Sequence, residues 1–414
     1  MTSQDNATCN FSVHLCTWNV AETRPPKDLT AVLGLSGEQK PGLTAVGIQE
    51  IAFAEEWLES LTNTAASKGY VRIKERQMQG IYLMMFALRE HILYIQNIES
   101  EITQTGLGGL WGNKGGISIR FDIYGVNMCI VNCHLAAHLH QLNERINDFE
   151  DIIETQRFRD KDVDYVLDHD YVFWIGDLNF RIEELDKGDI ENRIANQDLQ
   201  SMAHHDQLNK IRKEQIAFLD FEEGSVNFNP TYKYDTNTDN YDTSKKQRKP
   251  AWTDRILWMV HDDAFQNQTL SVDQRSYTRL DGQLYTDSDH RPVQSQFIIQ
   301  VFKEDYPKPP IEFEAITGWT VGEDGTCKYT IAPTYQFNSW DWVGLYKADF
   351  QHYGDYETYY WAMSDGSITI DKAYITNPGE YVLVYMASTD RNCVLGMSKT
   401  FNVLPRQQEQ KKEL

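Results

Sequence analysis

The sequence predicts a layered α/β sandwich over roughly its first 302 residues, followed by an all-β sandwich. Three observations predict this. Apolar runs of strand length interleave with stretches of helical period, without the regular spacing of a Rossmann sheet. A proline-rich segment, K-E-D-Y-P-K-P-P at Lys303–Pro310, then interrupts the chain. Beyond it no helical period recurs, and short runs rich in tyrosine, valine and threonine alternate with turns. At 414 residues the chain exceeds one ordinary domain.

Taken in order, Phe11 to Val20 alternates as a strand and ends at Trp18-Asn19. Arg24-Pro25-Pro26 is a loop, and Leu43 to Ile48 is a short apolar strand ending at Gln49-Glu50. Ala54 to Ala66 reads as a helix, and Ile81 to Leu88 as a core strand. Thr105 to Gly116 is glycine-rich and leads into strands at Ile117–Ile123 and Asn127–Leu135, turned at Tyr124-Gly125. Between Ala136 and Phe158, residues Leu139, Leu142, Ile146, Phe149 and Ile153 recur at three and four, the spacing of an amphipathic helix.

The run Val172 to Ile175 suits a buried strand, and Gly176 breaks it before Asp177 and Asn179. On extended chain those two would project together. Leu208 to Phe221 reads as helix, Asn229 to Pro250 as a polar loop, and Arg255–Val260 and Val293–Phe302 as strands. Ile311 to Leu404 holds four of the ten tryptophans, at Trp319, Trp340, Trp342 and Trp361. Pro405 to Leu414 reads as a polar, disordered tail. The domains are therefore expected at 9–302 and 311–404.

A net charge of −22, from 39 basic and 61 acidic residues, argues against a general nucleic-acid binder. Six cysteines without metal-ligand spacing read as reduced thiols. The polar N-terminus lacks a signal-peptide core, so the sequons at Asn6, Asn10 and Asn267 and the terminal K-K-E-L are expected to be chance. The longest apolar run is far short of the roughly 20 residues of a membrane span.

Five apolar segments end in polar residues suited to a metal or a phosphate: Asn19; Glu50; His134; Asp177 with Asn179; and Asp289 with His290. Asp254 precedes its strand instead. Each alone is more simply a solvated strand end or a packed histidine. Together they suit metal-assisted hydrolysis of a phosphate ester, which needs positioning and charge neutralisation more than a special nucleophile. Glu50 with Asn19 can supply oxygen ligands to magnesium. Asp177 can orient or deprotonate the attacking water, and His290, held by a neighbouring carboxylate such as Asp289, can stay protonated against the phosphate. His134 and Asn179 can do likewise. Tyr232 to Lys249 carries five basic residues (Lys233, Lys245, Lys246, Arg248, Lys249) against three acidic ones, a basic island for an anionic substrate. The glycine-rich stretch, with Asn113 and Lys114, can bring backbone N–H groups to another phosphate. It lacks the G-K-[ST] of a P-loop.

These segments resemble the inositol polyphosphate 5-phosphatases. The matching stretches are W-N-V at Trp18, G-I-Q-E at Gly47, G-N-K-G-G at Gly112, N-C-H-L at Asn132 and G-D-L-N-F-R-I at Gly176. They continue with F-N-P-T-Y-K-Y-D at Phe228, R-K-P-A-W-T-D-R-I-L at Arg248 and S-D-H-R-P-V at Ser288. W-D-W-V-G-L-Y-K at Trp340 resembles a SKICH domain. The resemblance implies a four-layer αββα sandwich of the endonuclease/exonuclease/phosphatase type, followed by an all-β Ig-like SKICH sandwich. It implies a magnesium-dependent enzyme acting on phosphatidylinositol 4,5-bisphosphate and 3,4,5-trisphosphate in phosphoinositide and insulin signalling.

By the same resemblance Asn19 and Glu50 fall on metal positions, Asp177 and Asn179 on the water-activating and phosphate-binding pair, and His134 and His290 on transition-state stabilisers. Asp289 orients His290, and Asp254 is an active-site acid of general role. Tyr232, Lys233 and Lys246 grip a 4-phosphate, with Arg248 beside them. A monomeric protein is implied, cytoplasmic and peripheral at the endoplasmic reticulum and plasma membrane, its SKICH part recruiting a protein partner. Ala21, Cys133, Thr253 and Arg291 depart from the common pattern without removing a proposed catalytic group. A nuclease of the same fold and a non-enzymatic scaffold are the alternatives. Cleavage of abasic DNA would support the first, and activity surviving Asp177→Ala the second.

Overall fold

The computed structural model describes residues 8–106, 113–262, 264–265, 268–302, 306–387 and 393–406. Residues 107–112 of the glycine-rich stretch, the sequons at Asn6 and Asn267, 303–305 of the proline-rich segment and 407–414 of the tail lie outside them. The chain forms two compact units, Met1–Leu88 with Glu99–Asp305, and Arg89–Ile98 with Tyr306–Leu414.

The first unit contains two sheets. In one, β1 (Cys9–Asn19), β2 (Leu43–Gln49), β3 (Tyr70–Met78), β4 (Ile81–Leu88), β10 (Val272–Arg279) and β11 (Val293–Val301) lie in the order β10-β11-β1-β2-β4-β3. In the other, β5 (Ile95–Gln104), β6 (Gly115–Ile123), β7 (Val126–His134), β8 (Tyr171–Asp177) and β9 (Asp254–Val260) follow in sequence order. Every residue of β2 and β8 is buried. Strands covered on both faces read as continuous apolar runs, which is how those segments read. The sheets face each other through Phe297, whose ring centroid lies 4.9 Å from that of Phe173 and 5.5 Å from that of Trp258. Asn132 stitches them: it donates to Tyr82 O at 2.9 Å and accepts from Gln49 Nε2 at 2.7 Å.

Helices cover the outer faces. On α1 (Ala54–Ala66), Trp57, Leu61 and Ala65 pack with Trp18, Val46 and Met84. On α2 (Leu142–Thr155), Phe149 and Ile152 pack with Val131, Trp174 and Leu257. The layers are thus helix, sheet, sheet, helix, as expected. Three short helices follow, α3 (Lys187–Ala195), α4 (Leu199–Ala203) and α5 (Gln207–Lys213), and Leu208 and Ile211 of α5 pack in the same cluster as α2.

Helix α2 starts six residues later than its apolar period suggests. The carbonyls of Ala136 and His138 accept from Arg145 Nη1 at 3.0 and 2.7 Å, so that stretch serves the guanidinium instead of a helix. Helix α5 ends before Phe221 because Gln215 and Phe218 take φ of 56°. That turn drives Phe218 and Phe221 into the core beside Trp174. The polar strands β3 and β10 escaped the sequence reading, being edge strands with exposed charged residues.

A buried ion pair braces the loops below the site. Arg255 donates to both oxygens of Glu223 at 2.6 Å and to Asp206 Oδ1 at 3.0 Å. Replacing one member strands opposite charges without water. Arg255→Met is expected to lose about 3–5 kcal/mol of stability, read as a lower urea midpoint. An unchanged midpoint would contradict the charged pairing.

The second unit is all β. A three-stranded sheet orders β12 (Ile311–Phe313), β14 (Gly325–Ile331) and β17 (Ser367–Ile370). The other orders β13 (Trp319–Thr320), β20 (Phe401–Leu404), β18 (Gly379–Met386), β15 (Trp342–Lys347) and β16 (Tyr356–Trp361), with β19 (Val394–Met397) on β18. Tyr329, Ile370, Leu345, Leu383 and Phe401 share its core. Arg89–Ile98, which the sequence reading leaves in the first domain, belongs here. Within this unit Asn97 N donates to Cys393 Sγ at 3.0 Å, and the Tyr94 ring meets Tyr306 edge-on at 6.1 Å.

Candidate active site

Sheet register assembles the site. His134 pairs with Asp177, and Asp177 with Asp254, so one row across β7, β8 and β9 sets the Asp177 carboxylate between an imidazole and a second carboxylate. In the facing sheet Asn19 pairs with Gln49, the last residue of β2, and Glu50 follows. The two rows meet where Asn19 Nδ2 donates to Asp177 Oδ2 at 3.0 Å. Gly176 makes this approach possible. At φ +146° a Cβ there would lie 2.1 Å from the Cys133 carbonyl oxygen, so any larger residue would push β8 off β7.

Asn179 does not continue an extended strand. It takes φ 56°, a conformation asparagine tolerates, and its N–H donates to Asp177 Oδ1 at 3.1 Å. Its Nδ2 donates to Leu135 O at 3.0 Å, and Arg181 holds its Oδ1. Asp177 and Asn179 are together, but through a turn and not through strand periodicity.

The S-D-H-R-P loop is tied down by Ser288, whose Oγ donates to Asn19 O at 2.7 Å and accepts from His290 N at 3.0 Å. His290 Nδ1 lies 2.9 Å from Asp254 Oδ2. That oxygen also accepts from Thr231 Oγ1 at 2.6 Å and Thr253 Oγ1 at 2.9 Å. The expectation that Asp289 orients His290 is therefore corrected. Asp289 pairs with Lys233, and its Oδ1 stands 4.0 Å from His290 Nε2. Asp254 is the orienting carboxylate. Lys233, in turn, is spent on Asp289 and is not among the residues lining the basic pocket described below.

The departures from the common pattern have local roles. The Thr253 hydroxyl serves Asp254, Arg291 Nη1 holds Ser288 O at 3.1 Å, and Trp174 Nε1 donates to Cys133 Sγ at 3.1 Å.

The electrostatics sort the two histidines. Burial pulls His290 down, but Asp254, then Asp177 and Asp289, outweigh it and raise its pKa to about 10. Burial and then Lys114 push His134 down, against Asp177 and Glu50. Lys114 itself is lowered by burial and touches His134 Nε2. Burial would raise Asp177, yet His134, His290 and Lys114 together hold it well below the usual carboxylate range. The site thus presents an ionised carboxylate, an imidazolium 4.0 Å from it and the His134 imidazole 3.3 Å from it.

Ligand atoms of Asp177, Asp254 and His290 lie within 4.8 Å of one another. The His290–Asp254 bond makes that trio an ion-pair relay in preference to a cation site. Asn19 and Glu50 suit a hard cation better, their donors being oxygens. Asn19 Oδ1 accepts from Ala21 N at 3.0 Å and keeps a second lone pair. Glu50 is half exposed at the mouth, its Oε1 3.9 Å from His134 Nε2.

A pocket of about 140 Å³ opens beside His290, lined by His138, Arg181, Tyr232, Lys246, Arg248 and Lys249 among others. The Arg181 guanidinium lies 4.4 Å over the Tyr232 ring, which lies 4.6 Å from the His290 ring. This stack joins the pocket to the catalytic cluster. Burial and then Arg248, Arg181, Lys114 and Lys246 lower His138, a sign that four cations converge there. Asn113 is exposed beside Lys114. Sequence reasoning missed Arg181 and His138. Arg181 carried a signal, since it lies two residues after Asn179 in the same motif; His138 carried none.

A helix-flanked double sheet with carboxylates and imidazoles at its mouth, next to a pocket of cations, defines a hydrolase fold and site of the endonuclease/exonuclease/phosphatase class. The family model described as "Endonuclease/Exonuclease/phosphatase family 2" matches residues 16–296, and the SKICH domain model matches residues 311–403. The chain belongs to the inositol polyphosphate 5-phosphatase family within that class.

It is 36% identical to phosphatidylinositol 4,5-bisphosphate 5-phosphatase A of Mus musculus, over 95% of this chain and 42% of that one. It is 34% identical to inositol polyphosphate 5-phosphatase K of Mus musculus, over 95% of this chain and 90% of that one. The chain therefore spans less than half the length of the first of these relatives. Among solved structures, the inositol polyphosphate 5-phosphatase domain of SpSynaptojanin in complex with inositol (1,4)-bisphosphate and calcium ion matches with a TM-score of 0.64 and 31% identity. That match covers 71% of this chain and 86% of that one.

Proposed function

We propose that this protein is a magnesium-dependent phosphatase that removes the 5-phosphate from phosphatidylinositol 4,5-bisphosphate and 3,4,5-trisphosphate, and from soluble inositol polyphosphates. One observation carries the reading: the Arg181–Tyr232–His290 stack links a pocket of converging cations to the Asp177 cluster. A second phosphate on the same ring can rest in that pocket while the first meets the catalytic groups. The SpSynaptojanin domain, bound to an inositol bisphosphate lacking the 5-phosphate, supports the assignment.

Asp177, ionised and held by Asn19 and Asn179 N–H, accepts a hydrogen bond from the attacking water and orients it in line. The water oxygen forms the new P–O bond as the bond to the ring oxygen breaks; the water's proton passes to Asp177, and the ring oxygen takes a proton from solvent and leaves as a hydroxyl. The imidazolium of His290 stabilises the charge on the equatorial oxygens, and Asp254 keeps it protonated. Lys114, with His134 against it, meets the same charge from the other side. Asn19 and Glu50 would hold magnesium, which would supply charge neutralisation at the phosphate when bound. Removing divalent ions with EDTA is expected to abolish phosphate release, and magnesium to restore it. Release that persists in EDTA would sink the metal assignment.

Lys246 and Arg248 are the specificity groups of the pocket. A charge-assisted hydrogen bond contributes about 1.5–3 kcal/mol. Lys246→Ala is therefore expected to raise KM for the 4,5-bisphosphate by about ten- to a hundredfold, with a smaller change for a ligand lacking the 4-phosphate. An unaltered ranking of ligands would remove Lys246 from substrate binding. The deciding assay ranks phosphate release from a panel of 5-phosphorylated lipids and soluble inositol phosphates; cleavage of abasic DNA in its place would favour the nuclease reading.

The same reading makes the protein a cytoplasmic monomer that visits the endoplasmic reticulum and plasma membrane, where its lipid substrates lie. Among the described residues no helix is long and apolar enough to cross a membrane. The SKICH unit, on this reading, recruits a protein partner.

A further inference from the structure

The outward face of the β15–β16 pair is coated with aromatic rings, where a half-solvated sheet ordinarily presents polar residues. Trp361 pairs with Trp342, Tyr359 with Gly344 and Tyr356 with Tyr346, so these side chains share one face. Val343 and Leu345 turn into the core. Gly344 is required there. A Cβ on it would lie 2.5 Å from Tyr346 Cε2 and 2.9 Å from Trp342 Cζ3, so its absence lets both rings close over the backbone.

The rings form one connected row. Trp340 meets Trp361 at 5.6 Å and 90°, Trp361 meets Tyr359 at 5.6 Å, and Tyr359 meets Trp342 at 5.5 Å and Tyr356 at 5.4 Å. They nevertheless face solvent: Trp340 is 65% exposed, Trp361 49%, Tyr359 43% and Tyr356 41%. A connected exposed patch of this kind marks an interaction surface, whereas scattered single residues would not. Among the described residues, strand β16 is also the last of its sheet, hydrogen-bonded to β15 on one side. Alternate backbone N–H and C=O groups along its other side are therefore open to a further strand.

Charge selects the occupant. Residues 338–366 contain three exposed carboxylates, Asp349, Glu357 and Asp365, against the single lysine Lys347; Asp341 is buried on the Tyr335 and Tyr385 hydroxyls and Asp355 pairs with His352. Glu357 stands exposed within β16 itself. Ring faces carry negative quadrupole charge and attract guanidinium and ammonium groups, and the carboxylates add to that attraction. An anionic leaflet would be repelled by the same carboxylates. We propose that the open edge of β16 and its aromatic face bind an extended peptide with alternating arginine or lysine side chains. Its backbone extends the sheet and its cations rest on Trp361, Tyr359 and Trp340. This deepens the recruitment reading of the SKICH unit and rests on it.

The test titrates the full chain with a short fluorescein-labelled peptide of alternating arginine and valine, followed by anisotropy. Saturable binding that weakens with salt is expected. Combined Tyr359→Ala and Trp361→Ala should weaken it by about tenfold or more. Glu357→Lys should weaken it as well, and alternate N-methylation of the peptide backbone should abolish it. Circular dichroism and the melting temperature of the full chain should match the parent in these variants, which shows that the substituted unit folds, and phosphate release from a soluble inositol polyphosphate should be unchanged. The binding readout needs no turnover, so failure of the phosphatase reading would leave it intact. Equal binding of a glutamate–valine peptide, or unchanged affinity in the double variant, would overturn the proposal. So would capture by phosphatidylcholine–phosphatidylserine vesicles in place of the peptide, since the face would then belong to a membrane.

Discussion

Asp177→Asn is expected to lower kcat by about a thousandfold or more, a general base contributing about 10²–10⁴ by itself. The carboxylate is buried, accepts from Asn19 Nδ2 at 3.0 Å and from Asn179 N at 3.1 Å, and lies 3.3 Å from His134 Nε2. An amide in its place keeps the shape, loses the charge that aligns the water and cannot take up a proton. KM should move far less, because the cations of the substrate pocket are untouched. The stability effect has a defined sign. The folded-state pKa of Asp177 is depressed, since His134, His290 and Lys114 outweigh the burial that would raise it. Its contribution is present above the unfolded value, about 3.9, and is lost progressively as the pH falls below it. The difference in melting temperature between the two proteins should therefore shrink toward acid. Residual kcat within about tenfold of the parent would remove Asp177 from the chemistry.

Asp254→Asn is the second large effect, and it separates positioning from contact. Asp254 reaches the reaction through His290, which it holds at 2.9 Å. Without that charge, only Asp177 and Asp289 are left against the burial, and the pKa of the imidazole falls. Loss of one electrostatic stabiliser corresponds to about 10²–10³ in kcat. The parent should keep its activity up to an alkaline limb near the His290 pKa of about 10. In the variant the limb should move to the acid side, with part of the activity recovered on lowering the pH. A merely structural role would not move the limb.

Linkage gives an independent check. A raised histidine pKa adds stability that is fully present below the unfolded value, about 6.5, and is lost as the pH rises through the folded value. The stability gap between parent and variant should therefore be widest at or below pH 6.5 and close toward pH 10. A limb that stays in place would return the orienting role to another group.

Much of the site was legible because strands have ends. Asn19, Glu50, His134 and Asp177 each close an apolar run, and a buried run that terminates in a polar residue must deliver it to a mouth. The basic island was legible for a similar reason, since Lys246 and Arg248 stand out in so acidic a chain. The partner of His290 was not legible. Asp289 is its neighbour in sequence, but it lies in a bend of the chain and turns to Lys233. Asp254, 36 residues away, arrives through the antiparallel register of β8 and β9. Arg181 was hidden in the same way, its ring partner Tyr232 lying on a distant loop.

By itself, the sequence determined what is local: strand and helix period, the division at the proline-rich segment, and the kinds of chemical groups available. The tertiary structure alone decided which carboxylate serves which histidine, that Arg89–Ile98 joins the second unit, and that the Tyr356, Tyr359 and Trp361 rings of β16 face water. The reason is physical. Periodicity is set by neighbours along the chain, whereas a hydrogen-bond partner, a pKa and an exposed face are set by whatever the register of distant strands brings within a few ångströms.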